Sequence, residues 1–256
     1  MRLKNSRYFL RFGLLLIASI TLYSCSTSKK LADQNYHPAD VETASVVSKI
    51  PDYRGELHSV KGEGRAIVSE PGNTERVTLL FSSNRQKSLV TIRNGIGIEG
   101  GQLLTDGDTL LIYNKIDEYA RKIPIKSGNL DRINRLAALN ILDIISYSLS
   151  SDEVQTVLES NKTFKLILDS GTEIYVDKKS YLVQKVVQPK HSQLPYSKIT
   201  YDAYGSLNGF ILPRRITIFG AEEKSKIALQ LTALELNPNL NTLSINLPND
   251  IPVYYR

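Results

Sequence analysis

The sequence has 256 residues, of which 41% are hydrophobic and 23% charged, with a formal net charge of +6. This composition excludes a disordered chain, which combines low hydrophobicity with high net charge. Four basic residues (Arg2, Lys4, Arg7 and Arg11) lie in a segment that we expect to be removed, which leaves a charge of about +2. The remaining charges are scattered rather than clustered on one face, which argues against nucleic-acid binding.

The amino-terminal segment has the pattern of a lipoprotein signal. Its basic residues are followed by an apolar run from Phe12 to Leu22 and then by Leu22-Tyr-Ser-Cys25. This run is shorter than the roughly 20 residues of a transmembrane helix. We expect residues 1–24 to be a signal peptide and Cys25 to carry two or three acyl chains, such as palmitate, which hold a protein stably on a bilayer. The alternative for Cys25 is a buried core cysteine.

Residues 25–40 have no apolar period and are predicted to be a tether. Fully extended, they would reach on the order of 50 Å. Asp40 is a candidate N-cap for a short helix with apolar residues Val41, Ala44, Val47 and Ile50, which Pro51 would end. Since Cys25 is the only cysteine, the single predicted domain, residues 41–256, depends on a hydrophobic core and not on disulfides.

From residue 57 onward the apolar pattern has a period of two, which predicts strands. The predicted strands are 57–68, 77–81, 88–92, one from residue 102, 109–113, 119–123, 163–168, 172–176, 181–187, 197–204, 213–219 and 226–234. Helical spacing runs from Leu130 to Ile145, and a short helical continuation contains Val154 and Val157. The short connections favour antiparallel pairing. The expected fold class is α+β, a large curved antiparallel sheet with a few helices on one face, and the carboxyl-terminal segment 247–256 should lie along an edge.

Strand alternation places one apolar set on a single face of this sheet. The candidate lipid-binding residues on that face are Leu79, Phe81, Ile92, Ile112, Leu166, Leu168, Ile174, Val176, Ile199, Tyr201, Ile216, Ile218, Leu229 and Leu231. The same face contains Val77, Val90, Leu110, Phe164 and Ile227. Two interpretations remain open. The helices of residues 130–157 cover this face as an ordinary core, or the face is too wide for them and leaves an apolar pocket.

The sequence offers little catalytic or metal-binding chemistry. The three histidines (His37, His58 and His191) are not at zinc-ligand spacing. The Gly-x-Gly-x-x-Gly match at 95–100 precedes a strand rather than the helix that phosphate binding needs, so a hairpin loop is expected. Asp169-Ser-Gly resembles an aspartic-protease turn, but that chemistry needs a second carboxylate, and a hairpin turn is again expected. We therefore expect no enzyme, no catalytic residue, no metal site and no cofactor.

Several motifs, by their order and spacing, resemble the Lol family of bacterial lipoprotein carriers and receptors (LolA/LolB-like) and a related group of uncharacterised Gram-negative outer-membrane lipoproteins. These motifs are the lipobox ending at Cys25, Leu57-His-Ser-Val-Lys-Gly-Glu-Gly, and residues 96–115, 199–202, 212–218 and 247–254. The resemblance implies a half-open β-barrel over a few helices, with an apolar cavity for acyl chains. The receptor members of this family have an insertion loop with an exposed leucine. In this sequence the Leu103-Leu104 pair is the one candidate for such a loop.

The resemblance also implies a function and a location. The expected protein is anchored in the outer membrane through lipidated Cys25, faces the periplasm and binds acyl chains of lipids or lipoproteins in their localisation. Ser26, rather than an acidic residue, follows the cysteine, which resembles outer-membrane sorting. A periplasmic carrier protein is a candidate partner. The alternative is a non-enzymatic structural or assembly component of an outer-membrane complex, with its barrel filled by its own side chains.

Overall fold

The computed structural model describes residues 35–126 and 132–255, without the side chains of residues 132 and 133. The predicted signal peptide, Cys25 and most of the predicted tether lie outside the described residues. Residue 130, the start of the predicted helical stretch, also lies outside them.

The strands form one sheet, and all pairs but one are antiparallel. In chain order the strands are β1 (His37–Pro38), β2 (Ser59–Glu70), β3 (Asn73–Asn84), β4 (Ser88–Arg93), β5 (Glu99–Thr105), β6 (Thr109–Asn114), β7 (Tyr119–Pro124), β8 (Val154–Glu159), β9 (Thr163–Leu168), β10 (Glu173–Asp177), β11 (Val183–Val187), β12 (Tyr196–Leu207), β13 (Phe210–Gly220), β14 (Lys226–Leu236) and β15 (Val253–Tyr255). Their order across the sheet is β1-β8-β9-β10-β11-β12-β13-β14-β2-β3-β4-β5-β6-β7-β15.

Two meanders therefore make up the sheet, and they join where β14 pairs with β2. β1 and β15 form its two edges, so the sheet is not closed. The carboxyl-terminal segment lies on an edge as predicted, although β15 pairs in parallel with β7.

Few helices accompany the sheet in the described part of the chain: α1 (Thr43–Val47), α2 (Arg132–Ala137), α3 (Ile141–Ile145) and a 3₁₀ turn at Ser151–Glu153. α2 packs against β13, and α3 packs against β13 and β3. The predicted sheet-rich α+β class is thus confirmed. The two helices α2 and α3 thus lie near the junction of the two meanders, since β13 belongs to one meander and β3 to the other.

Tight turns explain why the strands pair in this order. Gly72, Gly107 and Gly171 have φ of 80°, 87° and 79° in the β2–β3, β5–β6 and β9–β10 turns, a backbone region that glycine adopts without a steric cost. In the β5–β6 turn the Asp106 carboxylate accepts a 2.7 Å hydrogen bond from the Thr109 amide. The Asp169-Ser-Gly segment is the β9–β10 turn, and its predicted role as a hairpin turn is confirmed.

Two glycines on the inner face of β2 permit close approach of large side chains. A Cβ at Gly62 would lie 2.7 Å from the Phe81 ring, and one at Gly64 would lie 2.6 Å from Leu229 Cδ1. Any larger residue would therefore displace Phe81 or Leu229, or move the β14 backbone.

The predicted helical continuation through Val154 and Val157 is wrong, because this segment is strand β8. Val154–Glu159 pairs with Thr163–Leu168 across a short turn, with Val157 opposite Leu166. Val157 is buried and Gln155 exposed, which is strand alternation. A short apolar run of this kind satisfies both periods, and the neighbouring strand decides between them.

The amino-terminal helix is shorter than predicted. α1 begins after Glu42, not Asp40, and Val41 and Ala44 are exposed instead of facing the core. Val47 and Ile50 are buried as predicted, and Val46 is buried with them. The burial of three adjacent apolar residues around one helix end outweighs the capping signal at Asp40.

His37 and Pro38, predicted to belong to the tether, form β1 and pair with Glu159 and Leu158. Residues from Tyr36 onward belong to one compact unit. The ordered domain therefore starts before residue 41, since the open edge of β8 provides backbone partners for the incoming chain.

Candidate functional site

The inner face of the sheet holds a cavity of about 390 Å³. Its floor is the contiguous set of strands β13, β14 and β2–β6, and its roof is α2, α3 and the connection between them. Exposed residues Glu75 and Ile116 both line the cavity, so it reaches the surface there.

Most of the lining is aliphatic. The strands contribute Val68, Val77, Leu79, Val90, Ile92, Leu103, Ile112, Ile218, Ile227 and Leu229. The helical segment contributes Leu136, Ala137, Leu139, Ile141, Ile144 and Ile145. Glu75 is the only charged side chain among the described lining residues, and it is exposed. Such a surface favours an apolar ligand and offers little to an ionic one.

The roof is fixed at the end of the β3–β4 hairpin by Asn140. Its side-chain oxygen caps α3 by accepting hydrogen bonds from the amides of Leu142 and Asp143. Its amide nitrogen donates to the Asn84 carbonyl at 2.8 Å, and Ser83 Oγ donates to Asn140 Oδ1 at 3.0 Å. One side chain thus joins the helix start to the sheet.

Further polar contacts strengthen this attachment. The Ile141 amide donates to Ser88 Oγ at 2.9 Å, and Thr105 Oγ1 donates to the Ala138 carbonyl at 3.1 Å. Arg85 donates to Asp143 Oδ1 and to the Leu57 carbonyl, both at 2.8 Å. The roof is held by hydrogen bonds at its β3–β5 end, which leaves its aliphatic face over the cavity.

The predicted lipid-binding residues fall into two groups. The cavity is lined by Leu79, Ile92, Ile112, Ile218 and Leu229. The others pack into the buried core: Phe81, Leu166, Leu168, Ile174, Val176, Ile199, Tyr201, Ile216 and Leu231. We call β8–β12 the sealed half of the sheet, and β13, β14 and β2–β6 the open half. Phe81, Ile216 and Leu231 lie on strands of the open half but pack into the core.

Some lining residues were not among the sequence candidates. Val77, Val90 and Ile227 belong to the predicted apolar face, and a wider choice from that face would have included them. Leu103 lies in the strand predicted to start near residue 102. The roof residues had only a helical period as a signal, and that period does not tell which sheet face the helices cover.

Two turns expose aliphatic residues, and Ile116 in one of them lines the cavity. Ile116, 74% exposed, follows β6, while Ile96 and Ile98, 82% and 57% exposed, lie in the β4–β5 turn. The Asn94 side chain accepts hydrogen bonds from the Ile96 and Ile98 amides. The Gly95–Gly100 segment therefore forms the β4–β5 hairpin connection and the first two residues of β5, in agreement with the predicted hairpin loop.

The suggestion that Leu103-Leu104 forms an insertion loop is wrong. Both residues lie within β5, paired with Ile112 and Leu111 of β6. Leu103 contributes to the cavity wall. Their ladder partners hold them in the sheet, and the exposed apolar turn lies earlier, at residues 96 and 98.

Other chemistry is limited within residues 35–126 and 132–255. No group of three or more His, Cys, Asp or Glu side chains there is arranged to hold a metal ion. No helix in the same ranges is long and apolar enough to span a membrane.

The fold resembles solved structures of known classes. A LolA superfamily protein from Nitrosomonas europaea matches with a TM-score of 0.51 and 13% identity over 77% of this chain and 94% of that one. A domain assigned to outer membrane lipoprotein sorting from Vibrio parahaemolyticus matches with a TM-score of 0.49 and 13% identity over 77% of this chain and 91% of that one.

No protein-family model and no curated protein matches the sequence. The structural likeness therefore concerns the fold. The chain has a LolA-like fold, and the LolA/LolB-like resemblance predicted from its motifs is confirmed at that level.

Proposed function

We propose that this protein binds the acyl chains of lipids or lipoproteins in the cavity of the open half. The observation that carries the proposal is a space of about 390 Å³ lined mostly by aliphatic side chains, with Glu75, Gln102, Tyr113, Asn114 and Asn134 as the other side chains of its wall. It lies within the range of roughly 300–1,000 Å³ typical of small-ligand sites. Burial of each methylene contributes about 0.8 kcal/mol, so a flexible hydrocarbon chain can bind without any charged partner.

The same proposal includes a cellular location and a role in lipid or lipoprotein localisation. Lipidated Cys25 would anchor the protein in the outer membrane, facing the periplasm, with residues 26–35 as the tether. A half-open barrel around an acyl chain would suit a role in lipid or lipoprotein localisation. That role agrees with the sorting function named for the Vibrio parahaemolyticus domain. No step in it requires covalent chemistry, so we propose a non-enzymatic protein.

The alternative role in the assembly of an outer-membrane complex requires a barrel filled by its own side chains. The sealed half meets that condition and the open half does not. The cavity therefore favours binding over a purely structural role.

Native mass spectrometry with lipid extraction, on the full chain purified from a Gram-negative host, tests the proposal. We expect near-stoichiometric lipid or lipopeptide bound to the wild-type protein. Leu79→Trp would fill part of the cavity and should lower occupancy at least tenfold, since several methylenes at about 0.8 kcal/mol each lose their place.

Leu80→Trp is the matched control, because Leu80 is the next residue of β3 and faces the opposite side of the sheet. It should retain the ligand. A wild-type protein that carries no lipid and takes up no fluorescent fatty acid would refute the proposal, as would equal losses in the two variants.

A further inference from the structure

A second, smaller cavity lies beside the first. Its volume is about 20 Å³, and it lies between the end of α3 and strands β12 and β13. Tyr147, Tyr201 and Tyr204 contribute aromatic side chains to its wall. A space of this size holds about one water molecule.

Ile145 is the one described residue that lines both cavities. It is the last residue of α3 and only 2% exposed. Its neighbour Ile144 lines the large cavity alone. The Ile145 side chain is therefore a partition between the acyl-sized space and the small one.

The far side of this partition is mostly apolar but contains a buried hydroxyl group. Tyr201 Oη is buried, and no hydrogen-bond partner is found for it among the described residues. Burial raises the pKa of Tyr201 well above its ordinary value, so the group stays a neutral hydroxyl. Tyr147 packs near it, with ring centroids 6.3 Å apart. A hydrocarbon chain passing Ile145 would meet this hydroxyl and displace any water bound to it, which disfavours further extension.

We propose that Ile145 is the end wall of the acyl-chain site and sets the length of chain that the protein holds. The inference rests on the proposed function, because it assigns the chain-length limit of that same site. A chain that reaches Ile145 gains nothing from further methylenes, which must remain outside the cavity mouth. Shortening the side chain joins the two spaces and lets a longer chain bury more of its length.

The test is competition of saturated fatty acids of increasing length against a bound fluorescent fatty acid, on the full-length protein. In the wild type, affinity should rise about fourfold per methylene and then level off. In Ile145→Ala the rise should continue for about two to four further methylenes, since most of a side chain is removed and the small cavity is added.

Leu142→Ala is the matched control, because Leu142 is a fully buried residue of the same helix that lines neither cavity. In this control, the chain length at which affinity levels off (the levelling point) should stay within about one methylene of the wild-type value, that is, within about a fourfold change in affinity. If Ile145→Ala does not fold, Ile145→Val should give a smaller shift in the same direction.

Tyr201→Phe combined with Ile145→Ala sharpens the result. The double variant should bind long chains more tightly than Ile145→Ala alone, because the buried hydroxyl is gone. Equal shifts in the Leu142 and Ile145 variants, or an unchanged levelling point in an Ile145 variant that still binds, would overturn the inference. Absence of fatty-acid binding by the wild type would instead contradict the proposed function.

Discussion

The sealed half and the open half of the sheet have the same alternation of apolar residues but different surroundings. In the sealed half, Leu166, Ile174 and Val176 are each 0% exposed. In the open half, Leu79 and Ile227 are only partly buried, and both line the cavity. The difference shows that what covers the face, and not the strand pattern, decides whether it becomes core or binding surface.

Coverage differs because the helical segment is short and fixed at one end. Asn140 attaches the roof to the β3–β4 hairpin, where α3 starts. Side chains facing an empty space lose the dispersion contacts that a filled core would give them. The proposed acyl chain would supply those contacts.

The largest expected effect separates the two halves by stability. Leu166→Ala removes a fully buried side chain, and the free energy of unfolding should fall by about 2–5 kcal/mol. Leu229→Ala should fall at the low end of that range, about 2 kcal/mol or less, because one side of Leu229 already faces the cavity. Denaturant unfolding measures both. Equal losses would remove the distinction between the halves.

The same pair of variants separates the halves by binding. Leu166→Ala should retain wild-type affinity for a fluorescent fatty acid when it is folded. Leu229→Ala should change that affinity severalfold, since it alters the wall that the chain contacts. A larger effect on binding at Leu166 than at Leu229 would reverse the assignment.

A smaller effect is expected at the roof of the open half. Asn140→Ala removes the N-cap of α3 and its bond to the Asn84 carbonyl. Loss of such a cap costs about 0.5–2 kcal/mol. Hydrogen exchange at the Leu142 and Asp143 amides should accelerate, while that of Ile174 in the sealed half should change much less. Asn140→Ser, which restores a capping oxygen, should recover part of the protection.

The smallest effect concerns pH and the outer face of the sealed half. Partial burial acts to raise the pKa of Glu173, but hydrogen bonds from Lys165 and Tyr175 outweigh it and hold the pKa below its ordinary value of 4.5. Lys165 Nζ lies 2.5 Å from Glu173 Oε1. A lowered folded-state pKa contributes stability that is complete above the ordinary value and is lost as pH falls through the folded value.

Thermal unfolding of wild type and Glu173→Gln between neutral and acidic pH checks this sign. The variant should be less stable than wild type near neutrality, and the difference should narrow below about pH 4.5. Glu235→Gln, at an exposed position of β14, is the control and should leave the pH profile unchanged. A gap that widens on acidification would contradict the assignment.

Much of the fold was predictable because it depends on local patterns. The turns at Gly72, Gly107 and Gly171 and the period-two strands around them follow from residue type alone. The segment Val154–Glu159 was not predictable in this way. Its apolar positions fit a helix as well as a strand, and only pairing with Thr163–Leu168 resolves the choice.

The candidate site was predictable only as a face. Leu79 and Leu166 have the same place in the alternation, and nothing within their strands separates a cavity wall from a sealed core. That distinction depends on where the helical segment is interrupted between α2 and α3, at Leu139 and Asn140. It also depends on which strands the two helices pack against. Both depend on packing between residues far apart in the sequence, which the periodicity of apolar residues does not report.

The most direct test of the account is to locate the bound chain. A fatty acid carrying a photoreactive diazirine along its hydrocarbon would be bound to the full-length protein, irradiated and mapped by peptide mass spectrometry. We expect crosslinks to the open half, on β13, β14 and β2–β6, and to the roof helices α2 and α3. Crosslinks concentrated on β8–β12, or labelling no stronger than in Leu79→Trp, would contradict it.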